Sequence, residues 1–369
     1  MSIFSLRQSS VKIEGWFTKY EKPISSVSLI GGFILDWMTL QRIDTFFENF
    51  LVSVRLFVVA FCIILLNRSV LKSLKGVEQE RAHFWLINIL QFAFGGLLST
   101  FLVFYFRSGS IFVSWPFLFL LGIAFAANER LKHHYSRMTF QITFLFLSIY
   151  SFAIFSLPIV FQKVSPIIFF ASGIASLIII ALYLKLLRFF VHHAYEHNKR
   201  ALIMSIASVF AVMNVFYFFN IIPPIPLSLK DAGVYHKVEK SANGNFILVG
   251  EKKKFFQYFE LFDNVHLKDG GSVSVYSAIF SPTKLNTGIV HKWQWYEEKE
   301  REWITMGTIP LSIIGGRGDG FRTYSTREAL REGDWRVSVE NDRGQVLGRV
   351  HFTVFYNNAE IPLVATEVL

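Results

Sequence analysis

Long apolar runs fill most of the first 227 residues of this 369-residue chain and constrain its fold more than any other feature. They cover residues 50–66, 84–106, 110–127, 139–162, 166–190 and 201–222. A helix needs roughly 20 mostly apolar residues to cross about 30 Å of hydrocarbon, and these runs reach or approach that length. The pattern predicts a helical membrane domain that crosses the bilayer several times.

A seventh candidate span, residues 24–40, is short and contains Gly31, Gly32 and Asp36, so by itself it fits either a span or a re-entrant hairpin. Basic residues favour a span. With seven spans, one face of the membrane receives 15 Lys and Arg in the N-terminus and short loops, and the other receives 3. Cytoplasmic loops collect Lys and Arg, so we predict seven spans with the N-terminus in the cytoplasm and the C-terminal half outside.

The net charge supports this interpretation. Residues 1–227 hold 19 Lys+Arg and 9 Asp+Glu, whereas residues 228–369 hold 18 of each, so the whole excess of +10 belongs to the apolar half. A basic surplus confined to loops between apolar spans is typical of membrane insertion and not of a nucleic-acid-binding surface. We therefore expect the lipid bilayer as a partner and no nucleic acid.

The C-terminal half has a different pattern. Pro223, Pro224 and Pro226 cannot continue a helix, and the runs that follow alternate apolar and polar residues between Gly-, Asp- or Asn-bearing turns. The predicted fold is an all-α membrane bundle of about seven helices followed by a small all-β, immunoglobulin-like sandwich. The predicted segments are a cytoplasmic 1–23, a membrane domain 24–222, a stalk with a β-hairpin 223–254, a sandwich 255–357 that starts with a strand at 255–262, and a tail 358–369.

Five short motifs in the C-terminal half resemble a known family. They are His291-Lys292-Trp293, Gly320 to Ser325, Gly333-Asp334-Trp335-Arg336-Val337, Gly344 to Leu347 and Phe352-Thr353-Val354. Together they resemble the bacterial domain of unknown function 2914 family. The resemblance implies a bacterial envelope protein with a small sandwich-like domain. Together with the predicted spans and orientation, it leads us to expect a bacterial inner-membrane protein with a periplasmic C-terminal domain. It implies no activity.

A histidine cluster lies in the predicted cytoplasmic loops. His193, Glu196 and His197 match the His-x-x-Glu-His pattern of inverted zinc peptidases, and His133 and His134 lie in another loop on the same side. The pattern lacks a further carboxylate ligand on that side of the membrane. The other interpretation is a basic juxtamembrane helix with the histidines near its C-terminal end, where positive charge is favourable. We favour that interpretation and expect no metal or cofactor.

Asp36 and Arg55 are charges at predicted membrane depth, and both lie toward the outer ends of their spans. Charges at that depth are costly and are usually paired, so we predict an ion pair between them. The pair fits a structural role, in which it locks two helices, or a polar functional site.

Aromatic and basic residues offer candidate ligand contacts in the β half. Trp293 and Trp295 are two residues apart and share one face of a strand, so they form either a sugar-stacking platform or part of the core. Arg317, Arg322 and Arg327 lie in one turn-rich stretch and are candidates for binding an anionic polymer or a lipid headgroup.

These observations favour a non-enzymatic envelope protein whose sandwich binds a polymer or a partner protein. A membrane-embedded metal enzyme that uses the histidine cluster is the alternative. A transporter is a second alternative, supported only by the Asp36 and Arg55 charges.

Overall fold

A computed structural model describes residues 30–40, 45–68, 77–108, 111–127, 137–222, 227–241, 243, 245–252, 263–268, 270–281, 286–314, 321–357 and 362–368. These residues form seven helices followed by eleven strands. The helices are α1 (30–39), α2 (Phe46–Asn67), α3 (Val77–Ser108), α4 (Ile111–Ala127), α5 (Met138–Phe161), α6 (Pro166–Phe190) and α7 (His192–Phe218). The strands are β1 (Ser228–Tyr235), β2 (Lys237–Lys240), β3 (Phe246–Glu251), β4 (Asp263–Leu267), β5 (Ser272–Phe280), β6 (Asn286–Glu297), β7 (Glu302–Ile314), β8 (Phe321–Glu328), β9 (Gly333–Asn341), β10 (Val346–Tyr356) and β11 (Leu363–Val368).

Among the residues that the structure describes, five helices are long and apolar enough to cross a membrane. These stretches are Phe46–Asn67, Trp85–Ser108, Met138–Phe161, Pro166–Phe190 and His192–Phe218, and α4 contains a shorter apolar stretch, Ser114–Phe125. The helix at 30–39 belongs to the predicted first span, whose earlier residues lie outside the described part. The structure thus supports several apolar helices, and the count of seven spans stays a prediction.

The chain divides into two compact units, and the first holds the helical residues up to Phe104 together with 119–153 and 172–213. Polar side chains join its helices. Asn67 Nδ2 donates to Gln141 Oε1 at 2.7 Å, and Tyr183 donates from its hydroxyl to the Ala60 carbonyl at 2.8 Å. Polar groups inside an apolar bundle need such partners because burial without a hydrogen bond is costly.

The second unit holds residues 105–118, 154–171 and 214–369, and its β part has three sheets. The first is five-stranded, in the order β4-β10-β9-β6-β7; the second, β1-β5-β8, and the third, β11-β3-β2, have three strands each. The first and second sheets pack face to face around Trp293, Trp335 and Phe352, with Val273 and Val275 from β5. The β region is therefore a sandwich.

The third sheet adds a layer that the sequence did not predict. Phe246 and Leu248 of β3 pack on Tyr276 and Ala278, which lie on the other face of β5. Strand β5 is thus covered on both sides, and its burial pattern shows eight buried residues of nine. A strand in a middle layer has no solvent-facing side, which accounts for its run of Val, Tyr, Ile and Phe.

The observed β region also extends beyond the predicted sandwich. Strand β1 lies in the predicted stalk and pairs antiparallel with β5, while β11 lies in the predicted tail and pairs with β3. Backbone pairing, which side-chain patterns do not reveal for distant strands, places both in the fold. The predicted strand at 255–262 and the three prolines of the stalk lie outside the described residues.

Within the second unit, the turn between β9 and β10 contacts the end of α7. We call residues 341–345 the hairpin tip. Its conformation is fixed by Asn341, whose Oδ1 accepts hydrogen bonds from the backbone N–H groups of Arg343 and Gln345 at 3.0 Å. Gly344 adopts a left-handed φ of +73°, which favours glycine. The Arg343 guanidinium carbon lies 4.0 Å from the ring centroid of Tyr217, and Gln345 Nε2 donates to the Ile222 carbonyl at 3.3 Å.

Candidate functional site

One face of the five-stranded sheet points away from the core. In β6, Ile289, His291 and Trp293 point inward and are 0% exposed, so alternation turns the residues between them outward. The same alternation applies in β9, where Trp335, Val337 and Val339 are buried. We call the outward set the outer face: Lys292, Gln294, Tyr296, Trp303, Thr305, Thr308, Asp334, Arg336, Ser338, Glu340, Arg349, His351 and Thr353.

Trp303 lies at the centre of an aromatic and cationic cluster on the outer face. Its ring centroid is 4.3 Å from the guanidinium carbon of Arg336, 5.2 Å from the ring of Tyr296 and 6.2 Å from the ring of His351. Trp303 is on β7 and Arg336 is on β9, with β6 between them, so the indole extends across the neighbouring strand. All four side chains are partly exposed.

Hydrogen bonds orient the two arginines. Arg336 Nε donates to Gln294 Oε1 at 2.8 Å, and Gln294 Nε2 donates in turn to Thr305 Oγ1 at 3.2 Å. In the adjacent row, Arg349 Nε donates to Ser338 Oγ at 3.3 Å. Guanidinium carries five N–H donors, so one bond from each Nε fixes its position while leaving most of its donor capacity for other partners.

Positive charge prevails on the outer face. Among the residues that the structure describes, Lys292, Arg336 and Arg349 form no salt bridge within 4 Å. Burial, and after it the charge of Arg349, lowers the pKa of Arg336 to about 10, so it remains charged at neutral pH. Burial raises the pKa of Glu340, and Lys292, Arg349 and Arg336 oppose that effect. Asp334, the other carboxylate, accepts a hydrogen bond from Thr353 at 2.6 Å.

Trp293 is not part of this surface, which corrects its prediction as a ligand contact. It is 0% exposed, packs edge-to-face on Trp335 and Phe352, and donates from Nε1 to Ser325 Oγ at 3.0 Å. A ring with no exposed area cannot stack on a ligand that arrives from solvent. Trp293 is therefore part of the core, which is the other interpretation that its sequence position allowed.

The predicted arginine cluster is also not brought together. Arg322 and Arg327 both lie on β8, whose pairing with β5 is regular, and their odd spacing puts them on opposite faces of the strand. Arg327 covers the core, with its guanidinium carbon 5.8 Å from the ring centroid of Trp335. Gly307 makes room for it, since a Cβ there would lie 2.6 Å from Arg327 Nη1. Arg317 lies outside the described residues.

Asp36 and Arg55 do lie together. Arg55 Nη2 is 3.4 Å from Asp36 Oδ1. Arg55 has two closer partners that the sequence analysis missed, because Nη1 donates to the Gly96 carbonyl at 2.9 Å and to Thr100 Oγ1 at 2.6 Å. A Cβ at Gly96 would lie 3.1 Å from the guanidinium, so the glycine provides space for it. A small residue one turn before a threonine on a facing helix was the available signal.

The histidine cluster differs from its predicted position on the helix. His193 and His197 are exposed in the first turns of α7, so they lie at a helix N-terminal end and not a C-terminal one. The favourable helix dipole proposed for them therefore does not apply. Glu196 is engaged by Arg188 at 2.8 Å. Within the described residues no three His, Cys, Asp or Glu are grouped to hold a metal ion, and His133 and His134 lie outside them.

Comparisons with solved structures give low scores. An immunoglobulin-like protein from Pseudomonas aeruginosa is 12% identical, over 35% of this chain and 96% of that chain, with a TM-score of 0.21. A β-glucosidase from Listeria innocua is 12% identical, over 31% of this chain and 16% of that enzyme, at 0.19. The alkylpurine DNA glycosylase AlkC from Pseudomonas fluorescens, bound to DNA containing an abasic site analog, is 10% identical over 85% and 99% of the chains, at 0.20. Scores of this size carry no functional inference.

Sequence comparison is more specific for the β region. Among curated proteins, none matches this sequence. The matching family model covers β6 to β10, which include the four strands that carry the outer face, with the exception of the last two residues of β10. Residues 286–354 of this chain thus match the family described as Protein of unknown function (DUF2914).

Proposed function

We propose that this chain is a bacterial inner-membrane protein that holds a binding module in the periplasm. In this proposal seven helical spans anchor it with the N-terminus in the cytoplasm, and the β region binds an envelope polymer or a partner protein without catalysing a reaction. The proposed orientation is supported by the basic split of 15 to 3 between the two sets of loops.

The outer face is the observation that carries the proposed binding role. It presents basic side chains with no salt bridge among the described residues, beside partly exposed aromatic rings. Basic side chains without a carboxylate partner at a surface are typical of sites that bind anions, because their charge is available to a ligand. The histidines of α7 support the metal-enzyme alternative less well, since their glutamate is already paired with Arg188.

Reporter fusions test the orientation. We expect a fusion after Leu369 to be active only with a reporter that works outside the cytoplasm, and a fusion at Gly76 only with one that works inside, because Lys and Arg collect in cytoplasmic loops. A fusion in the loop after Arg107 is the control on the opposite face and should behave like the one after Leu369. Activity on the wrong side at either of the first two sites contradicts the proposal.

A further inference from the structure

We infer that the outer face binds an acidic polysaccharide, with Lys292, Arg336 and Arg349 contacting its anionic groups and Trp303 contacting a sugar ring. The inference rests on the proposed function and specifies its ligand. It concerns side chains that the sequence motifs did not identify as a site.

The three cations are close enough to contact consecutive units of one chain. Arg336 and Lys292 are on adjacent strands, and Arg349 is opposite Ser338, which is opposite Lys292. The cations thus occupy three neighbouring strands in two successive rows, with diagonal steps of roughly 7–8 Å. A linear polyanion that crosses the strands meets them in sequence.

Mutual repulsion makes an anion favourable at this surface. Arg349 lies near enough to Arg336 to contribute to the lowering of its pKa, and both arginines help to lower the pKa of His351. Bound anions relieve this repulsion, and guanidinium groups can bind carboxylate or phosphate in a bidentate way. Charge alone, however, does not separate a glycan from an acidic protein.

The groups beside the cations favour a sugar. Tyr296 and Trp303 supply aromatic rings of the kind that contact apolar faces of sugar rings, and they lie directly opposite each other on β6 and β7. Thr305 and Thr308 are exposed and supply hydroxyls in the adjoining rows, where sugar hydroxyls need donors and acceptors. An acidic peptide would use the cations but has no need of a ring platform surrounded by hydroxyls.

Binding by the full chain tests this inference. The protein is placed in nanodiscs of phosphatidylcholine, which carries no net charge, and titrated with polygalacturonate, poly-glutamate and neutral dextran. We expect polygalacturonate to bind most tightly and dextran not to bind. We also expect its affinity to fall when salt is raised from about 50 to about 500 mM, because ions screen surface charges.

Variants separate the contacts of the arginines with anionic groups from the contact of Trp303 with a sugar ring. We expect Arg336→Ala/Arg349→Ala to weaken binding of both polyanions at least about tenfold, the effect of about 1.4 kcal/mol. The control Lys237→Ala/Lys240→Ala removes the same charge from β2, on the third sheet, and should bind as wild type. Trp303→Ala should weaken polygalacturonate about fivefold or more and leave poly-glutamate unchanged, while Trp303→Phe keeps most of the affinity.

Folding is checked by thermal unfolding of each variant. If the double Ala variant does not fold, Arg336→Lys/Arg349→Lys decides the question, since it keeps the charge and loses the bidentate donors. The double Lys variant should bind polygalacturonate about threefold more weakly than wild type. Wild-type affinity in a folded variant of either kind overturns the inference.

The inference is also overturned if poly-glutamate binds as tightly as polygalacturonate and Trp303→Ala changes neither affinity. That result would indicate an acidic protein partner. Co-sedimentation with isolated cell-envelope fragments separates failure of the proposed ligand class from failure of the proposed binding function. Retention on those fragments without polygalacturonate binding leaves the proposed function standing and removes only its ligand class.

Discussion

At residue scale, His291 shows how one side chain joins two sheets. It is 0% exposed, and its ring nitrogens lie 2.8 Å from Ser277 Oγ on β5 and 2.8 Å from Ser325 Oγ on β8. A neutral imidazole has one donor and one acceptor, and each hydroxyl can serve as either, so both nitrogens are satisfied without charge. Burial lowers the pKa of His291 to about 4.

This burial makes the stability of the β region dependent on pH. The unfolded chain takes up the proton near pH 6.5 and the folded chain only near pH 4, so protonation favours unfolding as the pH falls between these values. The contribution is fully present above about pH 6.5, and roughly 3 kcal/mol is lost by about pH 4. We expect His291→Gln to remove most of this slope in unfolding followed by tryptophan fluorescence.

The control is His351→Gln on the outer face, where the histidine is only partly buried. It should leave the larger share of the pH dependence in place. An unchanged slope in His291→Gln would show that other groups cause it.

A second residue-scale prediction concerns Arg55. Removing Asp36 leaves its guanidinium with the Gly96 carbonyl and Thr100 hydroxyl but without a counter-charge, so Asp36→Ala should destabilise the protein in detergent by about 2 kcal/mol. Asp36→Ala/Arg55→Ala should be milder than the sum of the single changes, because the unpaired charge is also removed. Thermal unfolding in one detergent measures all three variants. Additive effects would show that the two residues do not interact.

Strand alternation made part of the site predictable. It puts Trp293 on the same side of β6 as His291, and Lys292 on the opposite side with Tyr296. The approach of Arg336 to Trp303 depends on which strands pair, β6 with both β7 and β9. The pairing of β6 with β9 joins residues 40 or more positions apart, so no local pattern predicts it.

At element scale, bounds were predictable where the pattern changes sharply. Strand β5 lies between Gly271 and Pro282, and β7 ends directly before Gly315, so turn residues in the sequence mark these bounds. Helix α7 begins at His192, nine residues before the apolar run at 201, because a polar helical end continues the backbone hydrogen bonds without adding apolar residues. Strand β11 has no such signal. Five of its six residues are exposed, and its position comes from backbone pairing with β3.

Truncation of β11 gives an element-scale prediction. Deleting residues 362–369 removes the ladder that pairs Leu363 to Val368 with β3, and also the Glu367 acceptor of Asn245 Nδ2 at 2.9 Å. We expect the free energy of unfolding to fall by roughly 2 kcal/mol. Lost backbone hydrogen bonds account for this loss, because the strand buries little apolar surface. We also expect greater self-association through the exposed edge of β3. Thermal unfolding and size-exclusion chromatography measure both, and a chain without Leu369 alone is the control.

At the scale of the whole molecule, the β region and adjoining helical residues belong to one compact unit. Val164 packs with the cluster formed by Leu227, Ile279, Ile289, Val339 and Leu347. The β region therefore has a core of its own and a second apolar cluster completed by a residue outside it.

A fragment of residues 227–369 tests this division. We expect a β-type circular dichroism spectrum, because Trp293, Trp335 and Phe352 form a core within the fragment. Its melting temperature should lie several degrees below that of the β region in the full chain, since the fragment lacks Val164. Val164→Ala in the full chain should shift melting in the same direction. A helical or disordered spectrum would contradict the prediction.

The hairpin tip has a mechanical consequence. Strands β9 and β10 carry Arg336 and Arg349, and their shared turn contacts Tyr217 in the last turn of α7 and Ile222 shortly after that helix. A tensile load applied to either arginine would pass along hydrogen-bonded strands and reach α7 through Arg343 and Gln345. The hairpin then transmits force between the outer face and the end of that helix. Under such a load, the Arg343–Tyr217 contact, and not the sheet, is the element expected to yield first.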